Sequence, residues 1–171
     1  IDVATARGGD WDRLDALLLA QGVTAWCPTL VTAPLDAYAA PLARIAAAAA
    51  RPGRHPEILG AHLEGPFLGT RPGAHRVDHI RGVDRAWLDD LPPEVAIVTV
   101  AVECEHADQA WAWARERGVV GSVGHSGADA DATRIAFERG ASMVTHLFNA
   151  MSGLDHRRPG VAAAALLDPR I

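Results

Sequence analysis

An α/β fold with a parallel sheet, amounting to about six of the eight strand–helix units of a (β/α)₈ TIM-type barrel, is what this sequence predicts. Three observations carry that reading. Apolar runs alternate with segments of helical period along the whole chain, and the connections between them are short. Val95–Val102 (VAIVTVAV) is apolar almost without interruption, as suits a strand buried on both faces. No low-complexity stretch or linker divides the chain, so residues 1–171 are expected to form one partial barrel domain.

Taken in order, Ile1-Asp2-Val3 reads as the end of a strand. Asp10 is placed to cap a helix that carries Trp11, Leu14, Leu17 and Leu18 on one stripe and stops at Gly22. Val23–Thr29 reads as a strand, and the Ala-rich stretch from about Asp36 to Ala50 as a helix ended by Pro52-Gly53. The strand Ile58–Glu64 follows, then a long loop to about Val83, a short helix over Asp84–Leu91 and the strand Val95–Val102. His106–Arg117 has helical spacing closed by Gly118, and Val119–His125 is a strand. Asp129–Arg139 is a helix ending at Gly140, and Ser142–Phe148 is the last strand. A complete barrel takes roughly 250 residues. The pattern reaches Ile171 with two units still to come, which predicts part of a longer barrel whose open edges favour aggregates or oligomers.

Composition narrows the partners. The formal net charge is −5, and all 16 basic residues are Arg, scattered along the chain, which argues against nucleic acid. No apolar run is long enough to cross a bilayer, so no membrane role is expected. Cys27 and Cys104 are too few for a disulfide framework, which favours a reducing, cytoplasmic compartment. The strand in progress at Ile1 leaves room for an earlier start and a targeting segment.

The chemistry concentrates in GAHLEGPFLGTRPGAH, residues 60–75. In a strand, residues two apart share a face, so His62 and Glu64 point the same way before the chain breaks at Gly65-Pro66. A carboxylate ending a buried strand serves a ligand better than a core, and taken alone it reads equally as a helix cap or a surface turn. VGSVGHS ends a second strand on His125, and SMVTHLFNAM carries His146 one strand–helix repeat later, at the equivalent place on the neighbouring strand. Neighbouring strands lie about 5 Å apart, so both imidazoles can reach one ion and Glu64 can complete the set. Two imidazoles and a carboxylate suit one borderline divalent metal such as zinc, with a position left open for water.

HLEGPF (62–67), GAH (73–75), GHS (124–126), THLFNAM (145–151) and RRPG (157–160) occur in register along nearly the whole chain. Together they make the sequence resemble the N-acetylglucosamine-6-phosphate deacetylases, metal-dependent barrel hydrolases of the amidohydrolase superfamily. The resemblance implies that Glu64, His125 and His146 bind the catalytic metal and that His75 contacts the sugar and polarises the acetamide carbonyl. It implies that the backbone around Asn149 and Ala150, with Arg157, holds the 6-phosphate, Arg157 reaching into the partner of a homodimer. Each residue has a plainer alternative: a cap for Asn149, a surface loop for His75, a solvated charge for Arg157. His62 takes a supporting role as a core histidine bonded to a neighbour.

Three departures qualify the match. Many amidohydrolases carry His-x-His where this chain has Ala4-Thr5-Ala6, so one metal is expected rather than two. Arg158 stands where relatives usually have an acidic residue. The general-base aspartate is expected beyond Ile171, since Asp129, Asp131, Asp155 and Asp168 do not sit at that strand end. A non-catalytic chain binding metal or sugar phosphate, and another amidohydrolase such as a dihydroorotase-like cyclic amidase, stay open as alternatives.

Overall fold

The computed structural model describes all residues, Ile1–Ile171. Five strands form one sheet in the order β2-β4-β5-β6-β7, every neighbouring pair parallel. They are β2 (Thr29–Val31), β4 (Ala61–Glu64), β5 (Val95–Val100), β6 (Val120–Val123) and β7 (Ala141–Val144). Two short strands, β1 (Ala25–Trp26) and β3 (Glu57–Ile58), pair in parallel as a separate ribbon. The fold is therefore α/β with parallel sheets.

Two expected strands are each divided between these sheets. The run Val23–Thr29 breaks at Cys27-Pro28 because Pro28 has no N–H to give to a ladder. Its carbonyl instead accepts the His62 N–H at 2.9 Å, and pairing resumes at Thr29. Ile58–Glu64 breaks likewise at Leu59-Gly60. The start of the chain is not a strand at all. Asp2 folds back on itself, its Oδ1 accepting the Ala4 N–H at 2.9 Å and its carbonyl the Thr5 N–H at 3.2 Å, an aspartate-led turn. The continuous sheet thus has five strands where six were expected.

The helices follow their signals more closely. They are α1 (Gly9–Ala20), α2 (Ala39–Ala49), α3 (Arg85–Asp89), α4 (Ala107–Arg117), α5 (Ala130–Arg139) and α6 (Val161–Leu167). Asp84 caps α3 by accepting from Trp87 N, and Asp129 caps α5 by accepting from Ala132 N at 2.8 Å. Asp10 is not a cap: it lies inside the first turn of α1 and accepts from the Arg7 N–H. The α1 stripe is also rotated from expectation, with Leu17 exposed and Asp15 buried against Arg51 at 2.7 Å. A short 3₁₀ turn, Leu35–Ala37, precedes α2. Helix α6 was not anticipated, because VAAAALL has no polar face to give a helical period.

Alternation across the pleat sorts the sheet into two faces. Leu30, Leu63 and Val98 line up in one in-register row with Gly121, against which α4 packs Trp111. All three side chains of that row are buried. The opposite row, Val31, Glu64, Thr99, Ser122 and Met143, carries the polar chemistry. The sheet's two edges are β2 and β7. Val31 is exposed at one of them, and Leu167 lies beside an apolar groove of about 560 Å³ at the other, lined also by Met143, Val144 and Leu147. No helix is long and apolar enough to cross a membrane.

Candidate metal centre

Parallel strands deliver their carboxyl ends to one side of the sheet, and that is where the titratable side chains meet. Glu64 is the last residue of β4, while His125 and His146 each lie two residues beyond the last residues of β6 and β7, Val123 and Val144. Glu64 Oε1 is 2.9 Å from His125 Nε2 and 2.9 Å from His146 Nε2, and the two imidazole nitrogens are 3.0 Å apart. A tetrahedral ion with ligand bonds of about 2.0–2.1 Å asks for donors about 3.3 Å apart, so this triangle fits one cation with a small outward adjustment.

The triangle is held from behind. His125 is buried, and its Nδ1 bonds to the Arg71 carbonyl at 3.0 Å, leaving Nε2 to face Glu64. His75 reaches the cluster from the loop after β4. Its Nε2 is 3.7 Å from Glu64 Oε1, its Nδ1 bonds to Thr32 Oγ1 at 2.8 Å, and its ring lies 4.4 Å from that of His125. Glu64, His75 and His125 also have ligand atoms all within 4.8 Å and could hold an ion. The set with His146 is tighter, and it is the better match to metal–ligand spacing. The hydrogen bond from His125 and the nearby His75 imidazole hold the Glu64 carboxyl well below the usual carboxylate range despite its desolvation. An anionic oxygen ringed by imidazoles is thus built into the chain.

Room for this arrangement comes from Gly65. A Cβ there would lie 2.1 Å from Thr32 Oγ1, the hydroxyl that positions His75, and φ is +93°. Four non-glycine residues around the site, His125, His146, Phe148 and Ala150, also have left-handed φ of 52°, 36°, 76° and 48°. Such strain persists only where surrounding structure over-determines it.

Asn149 and Ala150 follow on the His146 loop. The Asn149 N–H donates to the His146 carbonyl at 2.9 Å, which places this backbone beside the triangle. Arg157 is not brought there. It lines an outer cleft with Asp129, Asp131, Arg134 and Arg158, and its Nε faces His156 Nε2 at 3.3 Å.

Sequence reasoning missed a buried polar chain beneath the candidate ligands. His62 Nδ1 bonds to Thr29 Oγ1 (3.0 Å) and its Nε2 to Thr99 Oγ1 (2.7 Å). Thr99 bonds to Thr145 Oγ1 (2.7 Å), which bonds to Ser122 Oγ (2.6 Å). Thr29 donates to the Cys27 carbonyl, so one arrangement satisfies every group: Ser122 to Thr145 to Thr99 to His62 Nε2, with His62 Nδ1–H donating to Thr29. Desolvation lowers the His62 pKa, in keeping with this neutral form, and the supporting role expected of His62 stands. The signal available beforehand was a hydroxyl in otherwise apolar strands, Thr99 in VAIVTVAV and Ser122 in VGSV.

No protein-family model matches the chain. It is 40% identical, over 99% of its length, to the N-acetylgalactosamine-6-phosphate deacetylase of Escherichia coli, of which it covers 46%. It is 37% identical, over 88% of its length, to the N-acetylglucosamine-6-phosphate deacetylase of Bos taurus, of which it covers 38%. A solved point mutant of N-acetyl-D-glucosamine-6-phosphate deacetylase from Mycobacterium smegmatis, in complex with N-acetyl-D-glucosamine-6-phosphate, superposes with a TM-score of 0.85. Identity there is 38%, covering 99% of this chain and 45% of that one. The Thermotoga maritima N-acetylglucosamine-6-phosphate deacetylase gives 0.85 at 28% identity, covering 95% and 44%. The resemblance read from five motifs therefore extends over nearly all of this chain, which spans less than half the length of these relatives.

Proposed function

We propose that this chain carries the metal-binding part of a deacetylase that hydrolyses the acetamide of N-acetylglucosamine 6-phosphate to glucosamine 6-phosphate and acetate, in amino sugar catabolism. The observation that supports it most is the convergence of Glu64, His125 and His146 from three strands within 3.0 Å of one another. The five parallel strands are read as part of a (β/α)₈ barrel, with residues 1–171 as one domain segment of it. Active sites of such barrels lie at the carboxyl ends of the strands, where this cluster lies.

One carboxylate and two imidazoles fit a borderline cation, and zinc is the proposed ion. When bound, it supplies Lewis acidity and lowers the pKa of water. The chain's residues do the rest. Glu64 and His125 present donor atoms fixed by their strand ends and by the Arg71 carbonyl. His75, anchored through Nδ1 to Thr32, directs Nε2 into the same space, where it contacts the sugar and polarises the acetamide carbonyl. The backbone around Asn149 and Ala150 takes the 6-phosphate. Arg157, outside the cluster of its own chain, serves the phosphate of a partner subunit in a homodimer, its planar fork suiting a bidentate contact. The resemblance implies a strand-end aspartate as the proton-transferring base, while within this chain Asp129 caps α5 and Asp155 and Asp168 are engaged by Arg157, Arg158 and Arg170.

Glu64→Ala, His125→Ala and His146→Ala are expected to strip the metal and abolish acetate release in the complete protein. Metal content by elemental analysis is the direct readout. Normal content in all three variants ends the assignment, and turnover of cyclic amides but not of the sugar phosphate moves it to another amidohydrolase.

A further inference from the structure

Glu103, on the turn after β5, is claimed by none of the chemistry above, yet both its carboxylate oxygens are hydrogen-bonded. Oε1 accepts from Thr70 N (2.9 Å), Thr70 Oγ1 (2.9 Å) and Gly127 N (2.8 Å), and Oε2 accepts from Ser126 Oγ (2.5 Å). The donors come from two different loops, those after β4 and β6. Desolvation pushes the carboxyl up, but the Gly127 N–H, the Ser126 hydroxyl and the Thr70 N–H outweigh it and hold it below its ordinary value. The backbone is shaped around this group. A Cβ on Gly69 would meet Glu103 Oε1 at 2.3 Å, and one on Gly127 would meet Thr70 Oγ1 at 2.3 Å.

His125 sits between those two anchor points. Its carbonyl accepts the Gly69 N–H at 3.1 Å and its Nδ1 bonds to the Arg71 carbonyl at 3.0 Å, so the residues flanking Thr70 grip it at both ends. Ser126 and Gly127 follow it directly in the chain. Thr70 on one side and Ser126-Gly127 on the other are all tied to one carboxylate.

We propose that Glu103 is a positioning residue that clasps the loops after β4 and β6 and thereby sets the placement of the His125 imidazole. It touches neither metal nor substrate. It acts through the loops it joins. The inference rests on reading His125 as a metal ligand, and the test separates the two.

Two readouts are taken on Glu103→Ala, Glu103→Gln and Thr70→Val, with folding followed by circular dichroism. The first is Co²⁺ affinity and its visible ligand-field spectrum. The second is amide hydrogen exchange at Gly69, whose N–H bonds to His125 and not to Glu103. Glu103→Ala is expected to weaken Co²⁺ binding by about ten-fold or more, the usual scale for an outer partner of a metal ligand, and to alter the spectrum. It should also speed Gly69 exchange by about ten-fold, since the local opening becomes cheaper. Glu103→Gln keeps an acceptor for Thr70 and Gly127 and recovers most of both. Thr70→Val, which deletes one of the four bonds, falls between wild type and Glu103→Ala. If Glu103→Ala does not fold, the other two variants decide by the same readouts. Wild-type affinity, spectrum and Gly69 exchange in the variants that fold overturn the proposal. A wild-type protein that takes up no Co²⁺ refutes the metal reading instead, while Gly69 exchange still reports on the clasp.

Discussion

Replacing Gly65 with alanine tests whether the histidine cluster depends on the tight approach of two backbones. The new Cβ would stand 2.1 Å from Thr32 Oγ1, 3.2 Å from Leu68 Cγ and 3.3 Å from Thr32 Cβ, at a φ of +93°. The left-handed conformation alone costs an alanine about 1–2 kcal/mol. Thr32 must then move, giving up its bonds to His75 Nδ1 (2.8 Å) and the Glu64 carbonyl (3.4 Å), at about 1 kcal/mol or more for groups only partly open to water. The expected loss is about 2–4 kcal/mol. Gly118→Ala supplies the control, because Gly118 ends α4 at φ +68° with nothing within 4 Å of its Cβ position, leaving a backbone cost of about 1 kcal/mol. Urea unfolding of both variants with unchanged slopes gives the difference directly. Equal losses would show that the contact with Thr32 carries no energy, and the account of how His75 is placed would fall with it.

Thr99→Val leaves His62 Nε2 and Thr145 Oγ1 short of a partner in a buried place and should destabilise by about 1–3 kcal/mol, with Thr99→Ser close to wild type in thermal melts. Burial pushes the Cys104 thiol from 9.0 up to about 11, against a smaller opposing effect of the Val83 backbone. The folded protein thus keeps a proton that the unfolded chain releases. This stability is full below pH 9 and falls as pH rises from 9 towards 11, by about 2–3 kcal/mol in all. Comparing denaturation midpoints at pH 8 and in that range for wild type and Cys104→Ala isolates it, and a loss just as steep in the variant contradicts it. Arg157→Ala should leave metal binding intact but weaken binding of N-acetylglucosamine 6-phosphate to the complete protein by about ten-fold, the scale of one charge-assisted contact. Calorimetry with the sugar phosphate would show it, and unchanged affinity would return Arg157 to a solvated loop charge.

What could be read from the sequence is what depends on near neighbours. Asp129 before an Ala-rich helix, Gly118 and Gly140 after helices, and the unbroken apolar run of β5 each announce an element through local chemistry. The candidate ligands were legible for a related reason: Glu64 ends one strand, and His125 and His146 recur one repeat apart, so period alone puts them at equivalent places. The split of two strands between two sheets was not legible, because it turns on whether Pro28 or Leu59-Gly60 interrupts pairing with a distant strand. Nor could the sequence show that Arg157 stands away from the triangle, that His62 bonds to Thr29 and Thr99 and through Thr99 to Thr145 and Ser122, or that Glu103 ties Thr70 to Ser126 and Gly127. Sequence by itself determined most of the element types, though not the turn at Asp2 or helix α6, and the identity of the donor atoms, since those follow from each residue and its immediate surroundings. Only the tertiary structure decided which donors meet and what holds them, because a hydrogen bond made across tens of residues exists only once the strand register has set the distance.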